Sequence, residues 1–398
     1  MARTHYHLLF HRSTPWRSEI QGSTNIWARM FAQKGYRVSY MADIVHIGHV
    51  LTGKCHVKSW LNGARFNDGV WVFTPLSIVP QMGKGVFSLP WAADASYRSC
   101  VPGLPAIVRK SGYGPPDLIW TAKPGSSALK SIFPKARLIF HIVDYYPAFR
   151  RSHIGNIEKR DYVRSDHIFL IGHALYDYLV QELGIPEQKI TVIGQGVFPN
   201  VYNADMPQPV ELDGLPHPRA IWVGVVDKGD PEMFASVASH LERIGGSFII
   251  IGPASAWAYS LADRFRNVRL LGPISPDRTP SYLVHCEIGV MLYDRRKQDV
   301  YKGQNPLKLY EYAAAGLAII STPHNEYEYI RPPVIVVREP EEVPNAIGTA
   351  VMERDSWRQK GLRFAQLHSW WSKFEIAEKI CLKLLETQDN TYVNDCRV

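Results

Sequence analysis

Cysteine is scarce in this 398-residue chain, and what there is makes no pattern. Cys55, Cys100, Cys286, Cys381 and Cys396 are scattered, odd in number and lack CxxC spacing. They indicate neither a disulfide framework nor a zinc site, and a reducing cytoplasm fits them best. No stretch approaches the roughly 18 consecutive apolar residues of a spanning helix, and no secretory apolar region is read at the start. Also missing are GxGxxG and GxxxxGK[ST], which argues against a typical dinucleotide oxidoreductase or P-loop kinase. Repeats and low-complexity tracts are absent too. What is there is ordinary globular composition, 46% hydrophobic and 21% charged, enough for two domains with cores of their own.

The net charge of +8 is unevenly placed, because residues 1–137 carry 17 Lys+Arg against 5 Asp+Glu. Trp16, Trp27, Trp60, Phe66, Trp71, Trp91 and Tyr97 are interleaved with these cations. Such a mixture suits an anionic membrane surface, and nucleic acid would be attracted by the same charge. Ordinary core aromatics beneath a solvated basic surface would read the same way.

The most informative stretch is Asn305-Pro306-Leu307-Lys308-Leu309-Tyr310-Glu311-Tyr312-Ala313-Ala314-Ala315-Gly316, followed by the apolar run Leu317 to Ile320. Asn305 suits an N-cap, Pro306 the first helical position and Gly316 a left-handed C-cap, so the spacing predicts a helix running into a buried parallel strand. Lys308, Glu311, Tyr312 and Ala315 share one face, while Leu307, Tyr310 and Ala314 share another. A cation in the first turn opposes the helix dipole unless something negative sits there. Free N–H groups plus a lysine suit a diphosphate, and Glu311 could accept hydrogen bonds from ribose hydroxyls. An i, i+3 ion pair between Lys308 and Glu311 on a surface helix is the plainer alternative.

The pattern P-x-K-x-Y-E-Y-x-A-x-G before a strand resembles the donor-site helix of GT-B glycosyltransferases. Within that group the chain is most similar to the bacterial branch containing the glucuronosyltransferase of xanthan assembly. The likeness runs in patches from the first strand to the 330s. It implies an α/β protein of GT-B fold, with two Rossmann-like domains facing across a cleft.

Taken in order, Tyr6 to Phe10, a helix from Thr24 or Asn25 to Lys34, and Tyr36 to Met41 read as a β-α-β opening. Residues 44–68 read as a membrane- or acceptor-facing segment, and 90–112 as helix interrupted by Pro102 and Pro105. Strands follow at Asp117–Trp120, Leu138–Ile142, His167–Ile171 and Ile190–Ile193. Asp144 lies just past the second of these, where ligands of open α/β sheets bind, although an aspartate there also suits a simple turn. Tyr145, Tyr146, Pro147 and Phe149 would shield it and raise its pKa, as a general base requires. The resemblance implies that role for Asp144. Gly194-Gln195-Gly196-Val197 matches the family's turn after the last strand of the first domain, but Phe198 stands where the family usually has an acid.

Residues 199–218 contain five prolines and read as a linker. Further strands are expected at Ala220–Val223, Ser247–Ile251, Val268–Leu271, Ile288–Leu292 and Val334–Val337. Gly224 and Val225 open a loop in which glycine lets backbone N–H groups approach phosphates. Tyr293 matches a tyrosine of the family's donor pocket. In the loop that follows, Arg295 and Lys302 are candidate contacts for a phosphate or a donor carboxylate, while a solvated charge run is the alternative. A helix from Ser369 to about Glu386 would cross back onto the first domain.

The expected organisation is therefore 1–198 for acceptor and membrane, 199–218 as linker, 219–368 for the nucleotide-sugar, and 369–398 as returning helix and tail. The resemblance implies UDP-glucuronate as donor, a polyprenyl-diphosphate-linked oligosaccharide as acceptor on the inner face of the membrane, and inversion with Asp144 as the single base. Leu307, Lys308, Glu311, Gly224, Val225 and Tyr293 would hold the donor. No DxD motif is found, so neither a metal nor another cofactor is expected, and nucleic acid is not expected as a partner. A retaining GT-B enzyme would share Lys308 and Glu311, and a non-catalytic binder of anionic lipid or nucleic acid would share the basic half.

Overall fold

The computed structural model describes residues 5–16, 22–51, 60–81, 89–149, 154–297, 301 and 303–395. The chain divides into two compact units, Met1–Ile193 with Phe374–Val398, and Gly194–Lys373.

The strands of the first unit are β1 (His7–His11), β2 (Arg37–Met41), β3 (Val45–His46), β4 (Arg65–Asn67), β5 (Val70–Phe73), β6 (Leu76–Ser77), β7 (Leu118–Thr121), β8 (Arg137–Ile142), β9 (His167–Leu170) and β10 (Ile190–Val192). Eight of them form one sheet in the order β10-β9-β8-β7-β1-β2-β5-β4, while β3 pairs with β6. All neighbours in the large sheet are parallel except the edge pair β4 and β5. Being covered on both faces, the central strands are largely apolar, and β1 and β7 are buried throughout, His7 and His11 of β1 included. An aromatic column fills one side. Trp120 stacks on Phe10 at 5.6 Å and on Phe169 at 4.8 Å, with Trp27 at 5.4 Å.

That column corrects part of the membrane reading. Trp16, Trp27, Trp71 and Tyr97 are buried, whereas Phe66 and Trp91 remain about half exposed. The interrupted helix at 90–112 is two helices, Pro90–Arg98 and Leu104–Arg109, with prolines in their first turns, where no intrahelical N–H partner is lost. The long helix Trp370–Asp395 begins in the second unit and continues in the first. There Phe374 meets Phe31 at 4.8 Å and Glu378 accepts a hydrogen bond from the Tyr36 hydroxyl at 2.9 Å.

In the second unit β11 (Arg219–Val223), β12 (Ser247–Ile251), β13 (Val268–Gly272), β14 (Ile288–Met291), β15 (Ala318–Ser321) and β16 (Val334–Val336) form a wholly parallel sheet. Its order is β13-β12-β11-β14-β15-β16, the doubly wound Rossmann order. The stretch 199–218, expected as a linker, is instead packed on this unit. Leu212 is fully buried, and the Arg219 guanidinium donates to the carbonyls of Leu212 and Leu215 at 2.7 to 3.0 Å. Prolines there set the path of a pinned segment.

Candidate functional site

In a doubly wound sheet the ligand crevice lies outside the carboxyl ends of the strands where their order reverses. In the second unit that point is between β11 and β14, and the chain past these two ends is Gly224-Val225 and Tyr293. Gly224 has φ 132° and Gly252, at the end of β12, has φ 135°. A Cβ on Gly252 would stand 2.0 Å from the Gly224 carbonyl oxygen, and one on Gly224 would stand 3.1 Å from Lys308 Nζ. Only glycines let the two strand ends and the lysine come this close.

The helix that carries Lys308 spans Leu307–Ala314. Pro306, rather than Asn305, occupies the capping position, without a side-chain cap. Asn305 turns inward, and its side-chain oxygen accepts from the Tyr310 hydroxyl at 2.9 Å. At the other end Gly316 has φ 75°, and the amide of Leu317 donates to the carbonyl of Tyr312 at 3.0 Å, so the left-handed C-cap forms and turns the chain into β15. Tyr312, assigned by spacing to the polar face, is fully buried. Its hydroxyl accepts from the amide of Val223 at 2.9 Å, and its ring fills the space that a side chain at Gly289 would need. The helix is thereby tied directly to the ends of β11 and β14.

Lys308 is not spent on Glu311. Its ammonium lies 3.5 Å from the centroid of the Trp222 ring and 5.2 Å from that of Tyr293. Burial, then the neighbouring Lys228, pushes its pKa well below the usual lysine value, while Glu311 pulls the other way. Burial likewise raises the Glu311 carboxyl, against the pull of Lys308. An ammonium held on aromatic faces with a second cation nearby has the chemistry to receive an anion. Lys228 went unnoticed in the sequence, although it lies in the loop after Gly224. Leu307, Val225 and Glu311 are all partly accessible.

The Tyr293 ring is seated among Trp222 at 5.5 Å, Tyr301 at 5.0 Å and His324 at 5.0 Å, and its amide donates to the Thr322 hydroxyl at 3.1 Å. Arg295 is not part of this cluster. It is held by Asp230 at 2.9 Å, Glu232 at 2.7 Å and Glu339. Asp230 in turn caps the helix Pro231–Ile244 through the amides of Glu232 and Met233. Arg296 and Lys297 both pair with Asp294. Among the described residues the cations of this loop are therefore matched by carboxylates, Arg296 and Lys297 by Asp294 of the loop itself and Arg295 by three carboxylates from outside it. Lys302 lies outside the described residues, as do 52–59 of the expected membrane-facing segment.

Asp144 belongs to the first unit, two residues beyond β8 and half-buried. Beside it the Tyr146 hydroxyl donates to the carbonyl of Ala122 at 2.9 Å, and the Tyr145 ring meets Tyr178 edge-on at 5.1 Å. The order in this sheet reverses between β1 and β7, and there Lys123, just past β7, is paired with Asp43, just past β2. Among the described residues the same edge thus carries Arg12, Asp43, Lys123 and Asp144, two cations and two carboxylates. Among the described residues no group of three histidine, cysteine or carboxylate side chains could hold a metal ion, and no helix is long and apolar enough to cross a membrane.

No family model matches the chain. It is 26% identical over 257 residues to the putative teichuronic acid biosynthesis glycosyltransferase TuaH of Bacillus subtilis, a match covering 60% of this chain and 64% of that protein. The chain thus spans less than two thirds of this curated relative. Solved structures cover more. Sucrose-phosphate synthase of Thermosynechococcus elongatus superposes with a TM-score of 0.71 at 12% identity, over 96% of this chain and 100% of that one. Anabaena HepE, solved with UDP and glucose, gives 0.66 at 14% identity, over 95% and 100%. The α,α-trehalose 6-phosphate synthase of Burkholderia multivorans gives 0.62 at 13% identity, over 98% and 100%. Likeness of this extent, together with two units built on parallel sheets of doubly wound order, identifies the architecture: the chain has the GT-B fold.

Proposed function

We propose that the protein is a glycosyltransferase of polysaccharide biosynthesis that takes its sugar from a UDP-sugar. The observation that carries this reading is Lys308, held on Trp222 beside Gly224 at the switch point of the second sheet. Departure of a nucleoside diphosphate needs positive charge where the negative charge develops, and Lys308, half-buried on aromatic rings, supplies it together with the exposed Lys228. The UDP in Anabaena HepE supports the donor class, and the name of the Bacillus relative supports a glycosyltransferase of polysaccharide biosynthesis.

In its finer form the donor is UDP-glucuronate and the acceptor a polyprenyl-diphosphate-linked oligosaccharide at the inner face of the membrane. Glu311 accepts from the ribose hydroxyls. Asp144 takes the proton of the acceptor hydroxyl as that oxygen bonds to the anomeric carbon, and the bond from that carbon to the diphosphate breaks with its electrons on UDP, inverting the centre. In this reading Lys308 and Lys228 neutralise the leaving group, so a chelator leaves the rate unchanged. Ile47, Leu61, Phe66, Ile78, Leu89 and Trp91 are exposed within the cationic first unit, which supports contact with an anionic lipid surface.

The test is release of nucleoside diphosphate from a panel of UDP- and GDP-sugars with membrane lipid extract as acceptor. Lipid-dependent UDP release, specific for UDP-glucuronate and giving a product of inverted anomer, is expected. Release from another sugar overturns only the glucuronate assignment, and retention of the anomer overturns the role of Asp144. Strong binding of lipid or nucleic acid with no donor consumed overturns the enzyme reading.

A further inference from the structure

We infer that His324 is a second contact for the donor's diphosphate, acting beside Lys308. The inference rests on the UDP-sugar reading above and adds a residue that neither motif nor spacing had singled out.

His324 is three residues past the end of β15, the strand next to β14, so it stands at the same carboxyl edge as Tyr293. It is 6% exposed, and both of its ring nitrogens are buried without a hydrogen-bond partner among the described residues. Its ring meets Tyr293 edge-on, at 5.0 Å and 89°, and Tyr327 at 5.2 Å. Lys308 therefore sits on one part of the Tyr293 ring's surroundings and His324 on another.

An imidazole with two unmet nitrogens is costly to bury, and such a group calls for a specific explanation. His141 in the first unit has the same deficit with a plain one, because it is fully buried in the column among Trp27, Trp120 and Phe169. His324 differs in lying beyond a strand end, where this fold receives ligands. Burial, then Lys308, lowers its pKa to about 4, so at neutral pH it is an uncharged ring with one N–H to donate and no repulsion against the lysine. An N–H aimed at a phosphate oxygen would satisfy it. His324 shares the Tyr293 ring with Lys308, which points to the diphosphate as its partner.

Calorimetric titration of wild type, His324→Ala and His324→Gln with UDP, uridine and inorganic pyrophosphate tests this, with the imidazole nitrogen signals of His324 followed by NMR in the wild type. Loss of one hydrogen bond to a charged group should weaken UDP and pyrophosphate about tenfold or more and leave uridine unchanged, with partial recovery in the Gln variant. The His324 signals should move on addition of UDP to the wild type, a readout independent of whether a variant folds. If UDP binds while these signals stay still and the affinities are unaltered, His324 is a packing residue and the inference fails alone. If the wild type binds neither UDP nor pyrophosphate, the donor reading fails and takes this inference with it.

Discussion

The two sheets share a strand order but not the chemistry at their switch points. In the second unit the crevice between β11 and β14 is lined by glycine, aromatic rings, Lys308 and Glu311, with Lys228 nearby. In the first, Arg12, Asp43, Lys123 and Asp144 are two cations and two carboxylates among the described residues, with Lys123 already paired to Asp43. Such an edge suits a polyhydroxy ligand that both donates and accepts hydrogen bonds. One topology thus carries a lysine seated on aromatic rings at one switch point and a lysine already paired with an aspartate at the other, a difference that the proposed division between donor and acceptor would use.

The sharpest way to break the comparison is to remove one group from each edge. Asp144→Asn should lower turnover about 10²- to 10⁴-fold, the range for loss of a general base, with UDP affinity unchanged by calorimetry. Lys308→Met keeps an apolar stem on Trp222 and should lower turnover about 10²- to 10³-fold, as expected when charge stabilisation of a leaving group is lost. Unlike the first variant, it should also weaken UDP. If both variants lose UDP affinity alike, the division of labour between the two edges is wrong.

Much of the second edge was legible in the sequence because its signals are local. Gly316 must be glycine for a left-handed cap, and Lys308 opposes the dipole of its own helix, so both stand out within a dozen residues. What stayed hidden depends on distant partners. Arg295 reads as an available cation until Asp230, Glu232 and Glu339 are folded around it. Trp27 and Tyr97 cannot be told from surface aromatics by composition, since burial is settled by Trp120 and His11, far along the chain. Tyr312 followed the helical periodicity onto the polar face, but Gly289 opens a slot in β14 that admits its ring. His324 carries no motif, and only the lack of partners around it marks it.

Acid should reach the first unit through its buried histidines. Burial lowers His11 and His141 to about 3 and His7 to about 4. Their folded pKa values lie below the unfolded value of 6.5, so the unfolded chain binds more protons and stability falls as pH drops below about 6.5 toward the folded values. Each histidine held neutral costs about 2 kcal/mol of stability by pH 5. His141→Leu removes one of these sites without breaking a hydrogen bond and should flatten the acid limb of a thermal-melt series by that amount. An unchanged acid limb would mean that His141 is protonated in the folded state.

The smallest effect separates structure from recognition at Arg295. Its guanidinium is 23% exposed and meets Asp230, which is 3% exposed and already accepts two amides at the start of the helix Pro231–Ile244. Arg295→Gln leaves that carboxylate its three amide donors, that of residue 295 included, but removes its counter-charge. The partial exposure of Arg295 lets solvent offset some of the loss, so the expected cost is about 1–2 kcal/mol, well short of that for a sealed pair. A fall in Tm of roughly 2–6 °C should register it. A donor-carboxylate contact would instead raise the KM for UDP-glucuronate and leave that for UDP-glucose alone. Three carboxylates already surround the guanidinium, so both KM values should hold while Tm falls. A rise confined to UDP-glucuronate would mean that the acid-lined socket opens for the donor and that the cationic loop belongs to the site after all.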